Sequence, residues 1–231
     1  MRGSRLAIAI LTIIISSTAV QAQKESPVKL GLRVAPALSW INPGTEGYSS
    51  EGIRFGISAG LVSDFYFAKN YAVSTGFSFL FPSGKLSYQD MITVNGVDQQ
   101  GTNNRIYNLI YFEIPIMLKM QTNQFGDFSF FGQIGFGTGF RMKATGKNEV
   151  TFDDGSTASS TNDIQNKTSL MRESVIAGIG IEYHIDKSTR ITGGFNYSNA
   201  LNSVLKGTNL VSNQEVKGLA NFAELSIGVL F

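Results

Sequence analysis

The chain is 231 residues long, with 19 basic and 17 acidic side chains, one histidine and no cysteine. The absent cysteine excludes disulfides, thiolate chemistry and zinc–sulfur centres. A near-balanced charge, with no basic patch interleaved with aromatics, excludes a nucleic-acid binder.

The first segment reads as a leader. Met1 to Arg5 is short and basic, Leu6 to Ile15 is an apolar run broken only by Thr12, and small residues follow as far as Val20-Gln21-Ala22. This order predicts a secretory signal peptide cleaved after Ala22, which divides the chain into a 1–22 leader and a 23–231 domain. The apolar run is too short for an uncleaved anchor, which needs about 20 residues. Loss of Arg2 and Arg5 leaves 17 basic and 17 acidic groups. Without cysteine, the exported domain is not a small disulfide-stapled fold. Beyond residue 22 no run of 18 apolar residues exists, so no α-helical span is expected. The 17 Phe, 8 Tyr and 25 Gly suit a membrane protein made of strands instead.

From there the apolar period is two nearly everywhere. In Ile53 to Leu61 every odd position is apolar and every even one is small or polar. Val73 to Phe79 repeats the pattern, as do Phe130 to Met142 and Val175 to Ile185. Strict alternation means strands with two different faces. Eight strands are predicted, at 28–40, 52–67, 71–82, 105–120, 128–144, 173–185, 190–201 and 220–231. Pro36 and Pro115 lack an N–H for a ladder, so Pro36 is expected at a bulge or strand end, with the same difficulty at Pro115. Gly, Ser and single charges dominate the non-apolar face, which suits the narrow interior of an eight-stranded barrel. Predicted lengths of about 10 residues or more exceed the 5–6 typical of globular strands. A soluble β-sandwich is the competing architecture, and the strand lengths and face compositions weigh against it.

The gaps between strands alternate. Those near 41–52, 82–104, 145–172 and 202–219 are wide and polar, whereas 68–70, 121–127 and 186–189 are tight. Four long loops on one side and three short turns on the other predict an all-β, antiparallel up-and-down transmembrane barrel of eight strands in an outer membrane, its termini on the periplasmic side. Two aromatic girdles are expected. The lower comprises Phe65, Tyr66, Phe67, Tyr71, Phe128, Tyr183 and Phe231; the upper comprises Trp40, Phe81, Phe140 and Tyr197.

Few residues carry chemistry. Gly56-Ile57-Ser58-Ala59-Gly60 matches the nucleophile-elbow pattern but sits mid-strand, without the strand-to-helix turn that exposes the serine. The base it would need, His184, belongs at the opposite end of the barrel wall. Gly135, Gly137 and Gly139 alternate on the lumen side and read as space-makers, not as a nucleotide loop. Asp153-Asp154-Gly155 reads as a turn, because the ligand spacing of a calcium loop is missing. Seven charges are expected to point inward: Arg33, Arg54, Glu113, Lys119, Arg141, Glu182 and Glu224. In a narrow lumen such charges pair or destabilise the fold, so they predict a salt-bridged plug. The competing reading is a small ion-selecting channel. No catalytic, cofactor-binding or metal-binding residue is predicted.

Leu109-Ile-Tyr-Phe-Glu-Ile-Pro-Ile-Met-Leu-Lys-Met120 resembles the Ile-Pro strand of the PorT-like outer-membrane β-barrel proteins found in Bacteroidetes. The Asp64-Phe65-Tyr66-Phe67 turn, Ser74-Thr75-Gly76-Phe77, Gly178-Ile179-Gly180-Ile181-Glu182-Tyr183 and the closing Gly228-Val229-Leu230-Phe231 follow in order. The resemblance implies an eight-stranded outer-membrane barrel and a C-terminal Phe231 of the kind the barrel-assembly machinery recognises. It also implies a link to type IX secretion, and it supplies no functional residues. The expectation is therefore a monomeric, non-enzymatic protein contacting outer-membrane lipid, the assembly machinery and surface or secretion-machine proteins. A narrow porin is the alternative, and a lipid-modifying or proteolytic barrel enzyme a third.

Overall fold

The computed structural model describes residues 27–94 and 97–231. The expected signal peptide lies outside them. Eleven strands follow in chain order: β1 (Val28–Pro43), β2 (Ser49–Ser50), β3 (Arg54–Ala68), β4 (Tyr71–Leu80), β5 (Ser83–Val94), β6 (Val97–Gln121), β7 (Phe128–Phe152), β8 (Thr157–Asp163), β9 (Met171–His184), β10 (Arg190–Ala200) and β11 (Gly218–Leu230).

Eight of them close a ring, every pair antiparallel, in the order β1–β3–β4–β6–β7–β9–β10–β11 and back to β1. Closure is made by β1 with β11. At its lower end Leu30 and Phe231 exchange both backbone hydrogen bonds, at 3.1 and 2.7 Å. The sequence alternation maps onto the two faces as expected. Phe55, Ile57, Leu61, Phe136 and Ile179 are exposed on the outer face, while Ser58, Asp64, Glu113 and Glu182 are buried inside.

Two expectations about the wall are corrected. Pro36 ends no strand and makes no bulge. It stays paired with Ile57 of β3, and only the β1–β11 ladder skips Ala35 and Pro36, in unchanged register. Pro115 behaves alike, paired with Gly137 on one side while the β4–β6 ladder skips it on the other. A strand residue directs its N–H to one neighbour only, so each proline costs one ladder and not both.

The second correction concerns the long gaps. Segments 82–104 and 145–172 are largely strand, because the wall strands run on past the barrel. Strands β6 and β7 are each 25 residues long, against the 9–11 that a tilted span requires. Their upper halves pair with each other, and with β5 and β8 on either side. β2 adds to β5, so a five-stranded sheet stands above the ring. Polar residues with a wet face form strand as readily as apolar ones when a paired neighbour is available, which is why composition suggested loop.

A bulge marks the change from barrel to platform. Ile110 pairs with Lys143 but Tyr111 with Arg141, leaving Met142 extra on β7. Below it the odd residues of β7 face inward; above it Ala144, Asn148 and Val150 do. The girdles form with one exception. Phe65, Phe67, Tyr71, Phe128, Tyr183 and Phe231 are exposed at the lower rim. Tyr66 instead turns into the lower mouth, where its hydroxyl donates to Gln121 Oε1 at 3.0 Å and accepts from Arg190 Nη1 at 3.2 Å. At the upper rim Trp40 stacks on Tyr197, with centroids 6.2 Å apart.

Candidate functional site: a filled lumen beneath an outer platform

The inner face is packed in tiers. At the bottom, the Lys119 ammonium lies between Asp64 Oδ2, at 2.6 Å, and Glu182 Oε1. Glu182 Oε2 accepts from Arg190 Nη1 at 3.0 Å and from Gln121 Nε2 at 2.8 Å. The Phe131 ring sits 4.6 Å from the Lys119 ammonium. That ring has space only because position 180 is glycine: a Cβ there would stand 2.3 Å from Phe131 Cζ. Below this tier, Lys29 donates to the carbonyls of Lys187 and Ser188 at 3.2 and 3.0 Å, tying β1 to the β9–β10 turn.

In the middle tier Arg33 pairs with Glu224, whose second oxygen accepts from Ser58 Oγ at 2.6 Å. Asn196 donates to the same carboxylate at 3.2 Å, and Gln133 donates to Asn196 at 2.6 Å. Above it, the fully buried Arg172 donates to Glu113 Oε2 and Ser198 Oγ, both at 2.9 Å, and to the Ala220 carbonyl at 3.1 Å. The Arg172 guanidinium lies against Phe222, 4.8 Å from its centroid. Gly137 makes room here, since a Cβ would sit 3.0 Å from the Glu113 carboxyl carbon. What remains is a cavity of about 60 Å³ between the tiers, lined by Asp64, Ser78, Glu113, Lys119, Gln133 and Glu224 among others. That holds a few waters and no larger solute.

Four acids and four bases thus neutralise one another across the barrel: Asp64, Glu113, Glu182 and Glu224 against Arg33, Lys119, Arg172 and Arg190. The expected plug is present, with a changed membership. Arg54 donates instead to Ser83 Oγ at 3.1 Å, at the outer lip. Arg141 keeps the inward parity with its Nε buried, but among the described residues it forms no ion pair and donates to the carbonyls of Gln165 and Thr168 at 2.6 and 2.5 Å, at the upper lip. The bulge just above it moves the inward parity of β7 from odd to even residues, which alternation alone does not show. Asp64, Arg172 and Arg190 were missed by sequence reasoning. Asp64 was discoverable, since Arg54, Ser58 and Asp64 share one parity on β3. Arg172 fell one residue outside the predicted strand.

The catalytic reading of Ser58 finds no geometry. Its hydroxyl donates to Glu224, mid-strand, and His184 Nε2 lies 2.8 Å from Ser129 Oγ at the lower end.

Above the Arg172 tier the interior becomes apolar. Ile41, Leu80, Leu86, Tyr107, Leu109, Tyr111, Ala144, Ile164, Val204, Leu205 and Phe222 form one cluster that seals the top of the ring. The outer segments close over it. Tyr48 stacks on Tyr88, centroids 4.2 Å apart. Asn209 donates to Tyr48 Oη at 2.9 Å and to the Gln89 carbonyl at 2.8 Å, while its own oxygen accepts from the N–H groups of Val211 and Ser212. Thr45 Oγ1 donates to the Glu215 carbonyl and accepts from the Lys217 N–H, joining the first and last outer segments. Arg105 lies over the Tyr88 ring and donates to Asn148. Burial pushes the Tyr48 hydroxyl up to about 12 against the Asn209 hydrogen bond, and it raises Tyr88 further. These segments make a folded platform. The Asp153-Asp154-Gly155 turn at its tip forms as expected, with Gly155 at φ 80° and Asp154 accepting from the Ser156 N–H at 2.8 Å.

A closed antiparallel ring, apolar outside and polar within, is the geometry of a protein that spans an outer membrane. The family model for the outer membrane protein beta-barrel domain matches residues 21–206. The chain belongs to that family. It is an outer-membrane protein. No curated protein matches it. Among solved structures, it is similar to Neisserial surface protein A (NspA), at 13% identity and a TM-score of 0.47, over 89% of this chain and 96% of that one. The outer membrane protein OprG of Pseudomonas aeruginosa aligns at 12% identity and 0.41, over 88% and 95%. The attachment invasion locus protein Ail of Yersinia pestis, in complex with the heparin analogue sucrose octasulfate, aligns at 14% and 0.35, over 88% and 99%.

Proposed function

We propose that this barrel is a non-enzymatic, monomeric PorT-like protein that acts by binding other proteins through its outer platform, as an accessory of a secretion machine of the type IX kind. The observation that carries the reading is the division of the molecule. The wall is accounted for by lipid outside and paired charges inside, whereas the platform is a folded apolar-cored body larger than a membrane span requires. Surface loops that only connect strands do not need to add apolar side chains to the core beneath them, as Leu86, Tyr88 and Ile164 do. The secretion link rests on the resemblance of the Leu109–Met120 strand to the PorT-like family. Type IX accessory and general surface-interaction roles separate by experiment. A photo-crosslinking residue placed at exposed Leu210 should capture discrete partners in the native membrane, and one at exposed Phe125 on the lower turn should not. Capture only from the lower turn would move the working face to the periplasm. Loss of secreted cargo on deletion of the gene would support the secretion role, and unchanged secretion would remove it. The narrow-porin reading is weakened by the sealed lumen and is tested by conductance.

A further inference from the structure

The platform sheet runs β2–β5–β6–β7–β8, and its two edges are treated differently. On the β5 edge the backbone is taken up. The Lys85 carbonyl accepts from the Glu51 N–H at 2.8 Å, and Ser87 pairs with Ser49 of β2. Further along, the Gln89 carbonyl accepts from Asn209 at 2.8 Å, and the Met91 N–H donates to the Asp90 carboxylate at 3.0 Å. The β8 edge is bare, with all seven residues of Thr157–Asp163 exposed.

The backbone groups left over on β8 follow from the ladder. At its two ends the Phe152 N–H donates to the Ser156 carbonyl at 3.0 Å, and the Ile164 N–H to the Ala144 carbonyl at 3.1 Å. Even residues of β8 therefore bond to β7, and alternation turns the N–H and C=O of Thr157, Ser159, Thr161 and Asp163 away from the sheet. Among the described residues none of these groups meets a backbone partner outside the β7–β8 ladder. Sheet edges are ordinarily blunted by lysine, proline or a bulge. β8 contains neither residue, and its pairing with β7 keeps one register throughout.

A second copy of the chain does not fit this edge. Copies in one membrane are related by rotation about its normal, which leaves both β8 strands running the same way, from the platform tip towards the membrane. Antiparallel pairing between copies is thereby excluded. Parallel pairing sets odd residues of one edge against even residues of the other, an offset that a twofold dimer, with like residues opposed, does not have. β2, two residues long, gives a head-to-tail chain of copies nothing to pair with. Charge favours a different occupant. Asp153 and Asp154 stand exposed at the upper end of β8, and the strand itself carries no base. We infer that β8 takes up an extended segment of another protein as a further antiparallel strand, with basic residues at the C-terminal end of that segment beside Asp153 and Asp154. Strand addition of this kind draws affinity from main-chain hydrogen bonds. The assignment rests on the platform being the protein-binding face, and adds to it the edge and the class of partner.

The test uses the full-length folded protein in nanodiscs and a synthetic probe, a heptapeptide of alternating threonine and valine followed by two lysines. Binding should slow hydrogen exchange at the Ser159 and Thr161 N–H groups, and no slowing there would overturn the assignment. Ser159→Pro with Thr161→Pro removes two outward donors without touching the β7 ladder, so affinity for the probe should fall about 10-fold. Unchanged affinity would also overturn it. Asp153→Asn with Asp154→Asn should weaken the probe about threefold and leave a probe ending in two alanines unaffected. In the native membrane, photo-crosslinkers at Thr157 and at Leu210 should capture the same partner, and the double proline variant should lose it. Capture from Leu210 that survives the prolines would overturn the edge and keep the platform reading, whereas no capture from either residue would remove both. A crosslinked dimer of the chain through Thr157 would replace the foreign strand by a second copy. Heat-modifiable gel migration confirms that each variant is a folded barrel before binding is scored.

Discussion

Glu113 and Arg172 show how much the wall depends on single side chains. Both are buried, and among the described residues the guanidinium forms one ion pair, with Glu113 at 2.9 Å. Removing one member of a buried pair leaves an uncompensated charge, at a cost of about 3–5 kcal/mol. Glu113→Ala should therefore lower the thermal transition in detergent markedly, whereas Glu113→Leu combined with Arg172→Met should regain most of the loss. An unchanged transition in Glu113→Ala would mean the pair is not a structural element of the plug. Gly180 argues the same point through space instead of charge. Gly180→Ala places a Cβ 2.3 Å from the Phe131 ring and 2.5 Å from the Gly193 carbonyl oxygen, so the refolded yield should drop and Phe131→Leu should recover only the part due to the ring.

At the scale of elements, the extension of β6 and β7 past the ring creates a platform whose apolar core is continuous with the top of the barrel. Leu86 is fully buried in that core on β5, outside the eight-stranded ring. Leu86→Ala should cost about 2–5 kcal/mol locally. Hydrogen exchange should quicken in Ser83–Val94, while exchange in β9 and β10 and the heat-modifiable gel shift stay unchanged. Equal quickening in both would show one cooperative unit. The platform also carries its own pH limit. Burial raises the Tyr48 hydroxyl from 10.0 to about 12, so folding favours the neutral phenol. That contribution to stability is complete below pH 10 and is lost as pH rises through about 12. Between those values the Tyr48–Tyr88 stack should open, seen as phenolate absorbance at 295 nm appearing while the barrel still migrates as folded. Phenolate appearing fully near pH 10 would contradict the buried stack.

For the whole molecule, the sealed lumen sets the expectation for transport. Ion-pair tiers fill the interior around a cavity of about 60 Å³, and an apolar cluster lies above them. Planar bilayers containing the folded protein should show no unitary conductance steps at moderate voltage. Lys119→Ala with Arg172→Ala, which opens the lowest and highest of the three tiers, should not create a stable pore either while the Arg33–Glu224 tier and the platform cluster stay in place. Regular steps from the parent protein would revive the porin reading and displace the plug.

Alternation of side chains along each strand determined the fold class, the outward and inward faces, the short turns at 68–70, 121–127 and 186–189, and the presence of inward charge. It does so because a strand's period of two and the choice between lipid and lumen are local properties, readable from a few adjacent residues. Which charges meet is a property of the closed ring. Arg172 reaches Glu113 across 59 positions of chain, and Arg33 reaches Glu224 across 191. The bulge at Met142, which shifts the inward parity of β7 above Arg141, exists only in the pairing of β7 with β6. The platform is of the same kind. Segments 82–104 and 145–172 are polar because most of their side chains meet water, and they are strands because their backbones find partners in each other, a fact that only tertiary pairing decides.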